Sequence, residues 1–294
     1  MDHDIIEKKG QGIIDFHTHA FPEKIAAKTL SALRAGIAEI SGIDIRPASD
    51  GTVAGLCAVE EAAGISLSVV MPIATRPGQE DTINSYAAEV SAISGGSAVS
   101  FGSVHPAGPD AVRAVYGIAE RGLPGLKLHP EFQKTYIDSP ECLAVLRAAA
   151  DCGLTVTVHA GRDIGLPPPV HCSPDRILRA LDAVPGLRLI AAHLGGWRMW
   201  EEVFRLLCGA PLLFDTAFLS GFADRSAVTD IIKAHGADRV LFGSDCPWED
   251  PADSLAFVRA LGLTPGDEDL ILCKNAAKLL CIWTESCRFP AERK

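Results

Sequence analysis

The sequence is poor in basic residues, and no segment concentrates them. Its 27 lysines and arginines stand against 37 acidic residues, which gives a formal net charge of −10 at pH 7. Proteins that bind nucleic acid present a basic patch or stripe, and this sequence has neither. Nucleic acid is therefore not an expected partner, and a small-molecule substrate is the default expectation.

Long hydrophobic runs are also missing. No segment approaches the roughly 18 apolar residues that a membrane-spanning helix needs, and the opening MDHDIIEKKG has no apolar core of signal-peptide length. The nine cysteines never occur in CxxC spacing, so we interpret them as small buried hydrophobic residues of a reducing compartment. These absences predict a cytoplasmic protein that does not interact with membranes.

No interdomain linker or low-complexity segment divides the 294 residues, 48% of which are hydrophobic. Short apolar segments alternate with longer amphipathic ones, a pattern typical of parallel strands joined by helices. The predicted strands are residues 13–17, 67–71, 99–104, 125–128, 154–159, 187–193, 212–215 and 240–245. Eight such units close into a (β/α)8 TIM barrel. We therefore expect an α/β fold with a single domain over residues 1–294 and a core at about 12–282.

An open doubly wound sheet is the alternative α/β fold. It usually carries a glycine-rich phosphate loop after its first strand, whereas here that strand is followed by Thr18-His19-Ala20-Phe21-Pro22. Residues 20–52 form a long insertion after strand one, with a helical stripe at Ile25, Leu30, Leu33, Ile37 and Ile40. Insertions of this length in a barrel usually form lids or pocket walls.

Three helices have recognisable boundaries. Two begin at Ser139-Pro140-Glu141 and Ser173-Pro174-Asp175, where serine precedes proline in the first turn. They are predicted to end at Cys152-Gly153 and Pro185-Gly186. A last helix is expected at about residues 267–281.

Polar side chains end four of the predicted apolar strands. Strand one ends with His17 and His19, strand five with His159, strand six with His193 and strand eight with Asp245. In a barrel these strand ends meet at the face that carries the active site. A single strand-end histidine is commonly a hydrogen-bonded core residue. Imidazoles from three strands with a carboxylate from a fourth instead fit a catalytic metal site with an open position.

Five motifs occur in chain order around these residues. They are Asp15-Phe16-His17-Thr18-His19, Gly125-Leu126-Lys127-Leu128-His129-Pro130, Val158-His159-Ala160-Gly161, Ala192-His193-Leu194-Gly195-Gly196 and Phe242-Gly243-Ser244-Asp245-Cys246-Pro247. Together they resemble the amidohydrolase superfamily, in its amidohydrolase-related (family 2) branch. The resemblance implies a metal-bearing (β/α)8 barrel. Most members hydrolyse C–N, C–O or related bonds, while a subgroup of the branch decarboxylates or hydrates small acids.

The resemblance also implies roles for individual residues. His17, His19 and His159 would be metal ligands, Asp245 would be both a ligand and a proton acceptor, and His193 would act as an acid or base. One divalent ion is expected, with Zn²⁺ first and Mn²⁺ or Fe²⁺ as alternatives for mixed nitrogen and oxygen ligands. Such an ion lowers the pKa of a bound water to roughly 7, and Asp245 would take its proton.

Other residues near the predicted site keep two interpretations. Lys127 lies where many binuclear relatives carry a carboxylated lysine that bridges two metals. As an unmodified cation it cannot ligate, and it would repel a second metal or hold an anionic substrate. His129 either contacts substrate or caps the strand before Pro130. Arg162 either clamps a substrate carboxylate or forms a surface salt bridge, and Trp248 is expected to contact substrate.

Several further residues are left outside the catalytic set. Asp15 is expected to orient a ligand. His105, like His129, either contacts substrate or caps its strand before a proline. Cys246 is not expected to be a nucleophile, because no base is assigned to it. The remaining histidines are interpreted as solvated or loop residues, and they are His3, His171 and His235.

The sequence supports three hypotheses for the function. The leading hypothesis is a metal-dependent hydrolase that directs a metal-activated water at a small, carboxylate-bearing substrate. The alternative is a metal-dependent non-oxidative decarboxylase, a lyase, acting on a small aromatic or unsaturated acid, with Arg162 and Lys127 as anion holders. The second alternative is a metal-binding barrel without turnover, against which Asp245 counts. Barrels of this branch often pair, so the resemblance allows a homodimer, but the sequence does not define the oligomeric state.

Overall fold

In a computed structural model, residues 12–281 are described, and His3 and Cys287 lie outside them. All strand pairs in this part of the chain are parallel, in the orders β1-β2-β3 and β4-β5-β6-β7-β8-β9. The strands are Ile13–Thr18 (β1), Ile65–Val70 (β2), Ala98–Ser100 (β3), Gly102–Ser103 (β4), Gly125–Leu128 (β5), Thr155–Val158 (β6), Arg188–Ala191 (β7), Leu213–Asp215 (β8) and Val240–Leu241 (β9).

The two strand groups join into one closed barrel. β3 and β4 are halves of the third predicted strand, interrupted at Phe101, whose backbone N–H donates to the Val70 carbonyl at 2.9 Å. On the other side, Phe16 N–H donates to the Phe242 carbonyl and Asp245 N–H to the His17 carbonyl, both at 2.8 Å. The first and last strand positions therefore pair, and the prediction of a (β/α)8 barrel is confirmed.

Helices cover the barrel between the strands. They are Glu23–Ser41 (α1), Val53–Ala62 (α2), Glu80–Ile93 (α3), Ala111–Glu120 (α4), Pro130–Gln133 (α5), Pro140–Asp151 (α6), Pro174–Ala183 (α7), Trp200–Leu206 (α8), Arg225–His235 (α9), Pro251–Arg259 (α10), Pro265–Asp269 (α11) and Asn275–Leu279 (α12). A π-helical turn, Leu270–Lys274, connects the last two. The helices predicted after Ser139 and Ser173 are present as α6 and α7, and the Ser139 side chain accepts from Cys142 N–H. The predicted last helix is also present, as α11, this turn and α12.

Two strands end well before their predicted C-terminal ends. Residues 187–193 and 240–245 were expected to be extended, whereas β7 ends at Ala191 and β9 at Leu241. After β7, His193 and Leu194 have φ angles of 58° and 57°. After β9, Phe242 N–H donates to the Ile271 carbonyl outside the strand ladder, and Asp245 then has a φ angle of 70°. Positive φ is incompatible with a β-strand, so the chain turns at the residues that carry the polar groups.

The insertion after β1 is helical, and only part of its predicted apolar stripe is buried. Leu30 and Ile37 of α1 face the interior, whereas Ile25 and Ile40 are each 48% exposed. No helix within residues 12–281 has the length and apolarity needed to cross a bilayer. Cys142, Cys172 and Cys246 are buried as predicted, but Cys281 is exposed.

His235 corrects one interpretation. It is not a solvated or loop residue, because it ends α9 and is fully buried. Its ring stacks on Phe214 with centroids 3.9 Å apart, and its Nε2 donates to the Leu212 carbonyl at 3.0 Å. His171 does lie in a loop, but its Nδ1 is 2.5 Å from a carboxylate oxygen of Glu131. Both histidines therefore have structural partners.

The interior of β1 should be sensitive to truncation. Phe16 is fully buried and meets Phe101 edge to face at 5.6 Å. We expect Phe16→Ala to lower the free energy of unfolding by about 3–5 kcal/mol, because it removes a large buried side chain and leaves a cavity. Urea denaturation measures the change. Phe204→Ala, at a phenylalanine that is 50% exposed, is the matched control and should change stability by about 0.5 kcal/mol or less. Equal losses in the two variants would contradict this account of the core.

Candidate metal centre

His17 and His19 project from the end of β1 with fixed ring orientations. His17 Nδ1 lies 2.8 Å from Asp215 Oδ2, and His19 Nδ1 lies 2.8 Å from the Met71 carbonyl oxygen. Those oxygens only accept hydrogen bonds, so both rings carry their proton on Nδ1. The Nε2 atom of each ring therefore presents a lone pair to the centre of the barrel mouth.

Asp245 supplies the carboxylate that faces these lone pairs. Its Oδ1 lies 3.1 Å from His19 Nε2 and 3.4 Å from His17 Nε2. The three ligand atoms lie within 4.8 Å of one another. Two ligands each about 2.0–2.2 Å from a common ion at a tetrahedral angle are about 3.3–3.6 Å apart. The spacing therefore fits a divalent ion, and without a cation these acceptors would repel each other.

His159 and His193 are oriented in the same way, each by a backbone carbonyl oxygen. The His159 Nε2 atom lies 3.1 Å from the Arg162 carbonyl oxygen, and the His193 Nδ1 atom 3.0 Å from that of Ala217. Each ring therefore donates outward. Their other nitrogens, His159 Nδ1 and His193 Nε2, face each other at 3.0 Å, a distance that requires a shared proton or a cation between them. Ligating histidines commonly donate their second N–H to a carbonyl or carboxylate in this way.

The electrostatics favour neutral imidazoles and an ionised Asp245. Burial lowers the pKa of His17, His159 and His193, with Lys127 contributing in each case. Burial alone would raise the pKa of Asp245, but its close contact with His19 and the neighbouring imidazoles of His17 and His193 bring it below the usual carboxyl value. Deprotonated ligands are what a metal requires.

Lys127 joins the predicted site from β5. It is fully buried, and its Nζ lies 2.9 Å from His17 Nε2. Burial lowers the pKa of Lys127 to about 8, although the charges of Asp215 and Asp245 oppose that shift. The lysine thus places a group able to carry positive charge directly beside the centre. The structure brings it to the predicted position, while its role stays a prediction.

His129 differs from the other four imidazoles. Its Nδ1 accepts from Phe132 N–H, so it caps helix α5, whereas the sequence predicted either a cap of the strand before Pro130 or a substrate contact. The proton then lies on Nε2, which faces Asp163 Oδ2 at 3.4 Å. His129, His159 and Asp163 are close enough together to suggest a second metal set, but both histidines direct N–H groups at Asp163. His129 also stacks on His159 with centroids 4.2 Å apart, so it supports that ring.

The two other predicted substrate contacts lie in the loops that follow His159 and Asp245. Arg162 is exposed, and its backbone carbonyl, not its guanidinium, contacts His159. Trp248 lines a cavity of about 300 Å³ together with Arg46, Phe218 and Glu249. Asp15 accepts hydrogen bonds from the backbone of His17 at 3.0 Å and of Ser244 at 3.1 Å. It thereby ties β1 to the turn that carries Asp245.

Asp215 is the functional residue that sequence reasoning missed. Its Oδ2 contacts His17 Nδ1, while its Oδ1 accepts from the backbone of His193 at 2.8 Å and of Ala217 at 3.1 Å. One buried carboxylate thus orients groups from three strand ends. The available signal was that the predicted strand 212–215 also ends in an acid, as the other site strands end in polar groups.

We expect Asp215→Asn to weaken metal binding by about 10–100-fold, because it removes the charge that holds the His17 ring. Chelator competition with Zn²⁺ or Mn²⁺ measures the affinity. Asp230→Asn, at an exposed acid of α9, is the matched control and should bind metal normally. An unchanged affinity in Asp215→Asn would remove Asp215 from the site.

Comparisons with known proteins show the family and the fold of this chain. Residues 14–282 match the amidohydrolase family. The 5-carboxyvanillate decarboxylase of Sphingomonas paucimobilis is 18% identical with a TM-score of 0.66, over 93% of this chain and 100% of that one. An uncharacterized TIM-barrel protein of Bordetella bronchiseptica is 20% identical with a TM-score of 0.73, over 92% and 98%. A 5-carboxyvanillate decarboxylase of Novosphingobium aromaticivorans, complexed with manganese and 4-hydroxy-3-methoxy-5-nitrobenzoic acid, is 17% identical with a TM-score of 0.66, over 93% and 97%. No curated protein matches in sequence.

Proposed function

Because this chain belongs to the amidohydrolase family, we propose that it is a metal-dependent, non-oxidative decarboxylase of a small aromatic or unsaturated carboxylic acid. The observation that carries the proposal is the convergence of the His17 and His19 Nε2 lone pairs on the Asp245 carboxylate. The resemblance of the fold to two decarboxylases supports decarboxylation over hydrolysis, the function that the sequence favoured.

His17, His19 and Asp245 would hold the ion. His159 stays a predicted fourth ligand. Its Nδ1 contacts His193 Nε2 in the structure, and it would have to give up that contact to bind the ion. The mixed nitrogen and oxygen donors suit Zn²⁺, the expected ion, and equally Mn²⁺. When bound, the ion supplies positive charge that holds the oxygens of an acidic substrate and withdraws electron density from it.

The chain's own residues would complete the reaction. Lys127 adds a second positive charge beside the substrate carboxylate. The bond between the carboxyl carbon and the substrate then breaks, CO₂ leaves, and the electron pair stays on the substrate carbon. The proton that His193 Nε2 shares with His159 Nδ1 would then pass from His193 to that carbon. Burial of the imidazoles keeps bulk water away from the developing negative charge.

Hydrolysis remains the second candidate because of one observation. The pKa of Asp245 is held below its ordinary value by His19 and its imidazole neighbours, despite burial, so this carboxylate is ready to accept a proton from water. A small, carboxylate-bearing ester, lactone or amide would then be the substrate.

The two candidates differ in their products. A panel of carboxylic acids, lactones and amides is incubated with the metal-loaded protein in ¹⁸O-labelled water. We expect CO₂ release from at least one acid, with no label in the organic product. Label in a ring-opened or cleaved product without CO₂ would establish hydrolysis instead. Protein that releases neither product from the panel, although it holds its metal, would favour the barrel without turnover. Asp245→Asn is the matched control for contaminating activity.

A further inference from the structure

Glu60 is a buried acid that the proposed reaction does not use. It lies near the end of α2, and only 2% of its surface is exposed. Neither of its carboxyl oxygens accepts a hydrogen bond from a donor within residues 12–281. Buried polar groups without a partner are rare in folded proteins, and a buried charge without one is strongly unfavourable. The side chain therefore needs a role that a hydrogen-bonded or uncharged carboxyl can fill.

The neighbour of Glu60 is Asp15, the acid that ties β1 to the turn carrying Asp245. The Glu60 side chain contacts the Asp15 carboxyl, and Asp15 is fully buried. Asp15 accepts from the backbone N–H of His17 through Oδ1, and from that of Ser244 through both carboxylate oxygens, at 3.0–3.2 Å. Two ionised carboxylates in contact away from water would repel each other strongly. One proton therefore lies between the two acids.

The hydrogen-bond donors place this proton on Glu60. The backbone N–H groups that point at Asp15 favour its charged form, whereas Glu60 has no such donors. Burial raises the pKa of Glu60 well above the usual carboxyl value, and the charge of Asp15 adds to the shift, while the Ser68 hydroxyl opposes it. An un-ionised carboxyl has an O–H that can donate, and a donor to a carboxylate makes one of the stronger hydrogen bonds in proteins.

We propose that Glu60 is a positioning residue of the metal centre: its un-ionised carboxyl donates a hydrogen bond to Asp15 and thereby holds His17 against the turn that carries Asp245. Glu60 belongs to none of the donor sets, so it acts from α2 through Asp15. The positioning role rests on the metal site of the proposed function. The contact between the two acids does not depend on an ion.

Infrared difference spectroscopy at pH 7 tests the contact on metal-free protein. We expect the difference between wild type and Glu60→Gln to show the loss of a carbonyl band from an un-ionised carboxyl. Glu61→Gln, at the exposed acid that follows in α2, is the matched control and should lose an ionised carboxylate band. Loss of an ionised carboxylate band in Glu60→Gln would overturn the proposal. So would a band that disappears when Na⁺ or K⁺ is added, because a cation would then replace the proton.

Chelator competition with Zn²⁺ tests the positioning role. Glu60→Met keeps a long side chain but has no donor, and we expect it to bind Zn²⁺ about tenfold more weakly, as the loss of one charge-assisted hydrogen bond implies. Glu60→Gln keeps an N–H donor and should bind as tightly as wild type, as should Glu61→Gln. Thermal melting followed by circular dichroism separates folding from positioning. A Glu60→Met protein that melts earlier but binds Zn²⁺ as tightly as wild type would make Glu60 merely structural.

The proposed function fails separately. If the expected order of Zn²⁺ affinities is found but no acid releases CO₂, decarboxylation is rejected and Glu60 keeps its role. CO₂ release with equal Zn²⁺ affinity in wild type and Glu60→Met would do the reverse. Wild-type protein that binds neither Zn²⁺ nor Mn²⁺ would overturn both the metal-dependent function and the positioning role.

Discussion

Replacing Asp245 by asparagine is expected to lower turnover by about 10²–10⁴-fold, because the carboxylate would hold the ion in decarboxylation and would also take a proton from water in hydrolysis. Asp245 Oδ1 faces both His17 Nε2 and His19 Nε2, and its carboxylate is ionised despite burial. Asparagine keeps the shape of the side chain but removes the charge. It also tolerates the positive φ of 70° at this position, since asparagine and aspartate both adopt left-handed backbone readily. The barrel should therefore fold normally.

The measurement is CO₂ release per bound metal, with elemental analysis and circular dichroism on the same sample. Asp230→Asn, the exposed control on α9, should be fully active. If Asp245→Asn keeps its metal and loses turnover, the carboxylate handles a proton. If it loses both, the carboxylate is chiefly a ligand. A fully active, metal-replete Asp245→Asn protein would exclude either role.

The barrel could be predicted because its strands alternate clearly with helices. Residues 125–128 were predicted without error as β5, where four consecutive residues are buried and no turn signal intervenes. The errors lie at the functional rim. Strand β7 stops where His193 and Leu194 take positive φ, and β9 stops where Phe242 N–H turns to the Ile271 carbonyl, before the positive φ of Asp245. Nothing in the apolar pattern signals that change, because strain of this kind is imposed by tertiary contacts and concentrates at active sites.

The site could be predicted only as a set of side chains that end strands. His17, His19, His159, His193 and Asp245 do meet at one end of the barrel. The sequence could not predict which of these side chains would act together as donors to one ion, because that depends on which ring nitrogen points inward. That choice is made by Asp215 and by the carbonyls of Met71, Arg162 and Ala217. Backbone carbonyls carry no residue-specific signal, and Asp215 resembles any acid at a strand end.

The position of the ring proton also explains why His129 behaves differently. In sequence it is another histidine at the end of a strand. In the structure it begins α5, where its Nδ1 accepts from Phe132 N–H and its proton is on Nε2. It therefore directs a donor at Asp163, where a metal ligand would present a lone pair. Local capping thus decides the chemistry of an imidazole that strand position alone would assign to the metal.

The second large effect is expected for His17→Ala, which should lose the bound metal at concentrations that saturate the wild type. His17 is the central imidazole of the group: its Nε2 lies 3.4 Å from Asp245 Oδ1 and 2.9 Å from Lys127 Nζ, and its Nδ1 is held by Asp215. Its removal deletes one of three ligands within 4.8 Å of one another. It also leaves Lys127 without its imidazole partner.

Elemental analysis after dialysis against Zn²⁺ or Mn²⁺ measures the loss, and chelator competition gives the affinity. His105→Ala is the matched control, because His105 is also a buried histidine beside a barrel strand but belongs to none of the donor sets. It should retain the metal. The order of affinities carries the argument: wild type and His105→Ala highest, Asp215→Asn about 10–100-fold lower, and His17→Ala lowest. Full metal content in His17→Ala would place the ion elsewhere. The His17 ring is the group that contacts Asp215 through Nδ1 and faces Asp245 through Nε2, so an ion held at this position needs it.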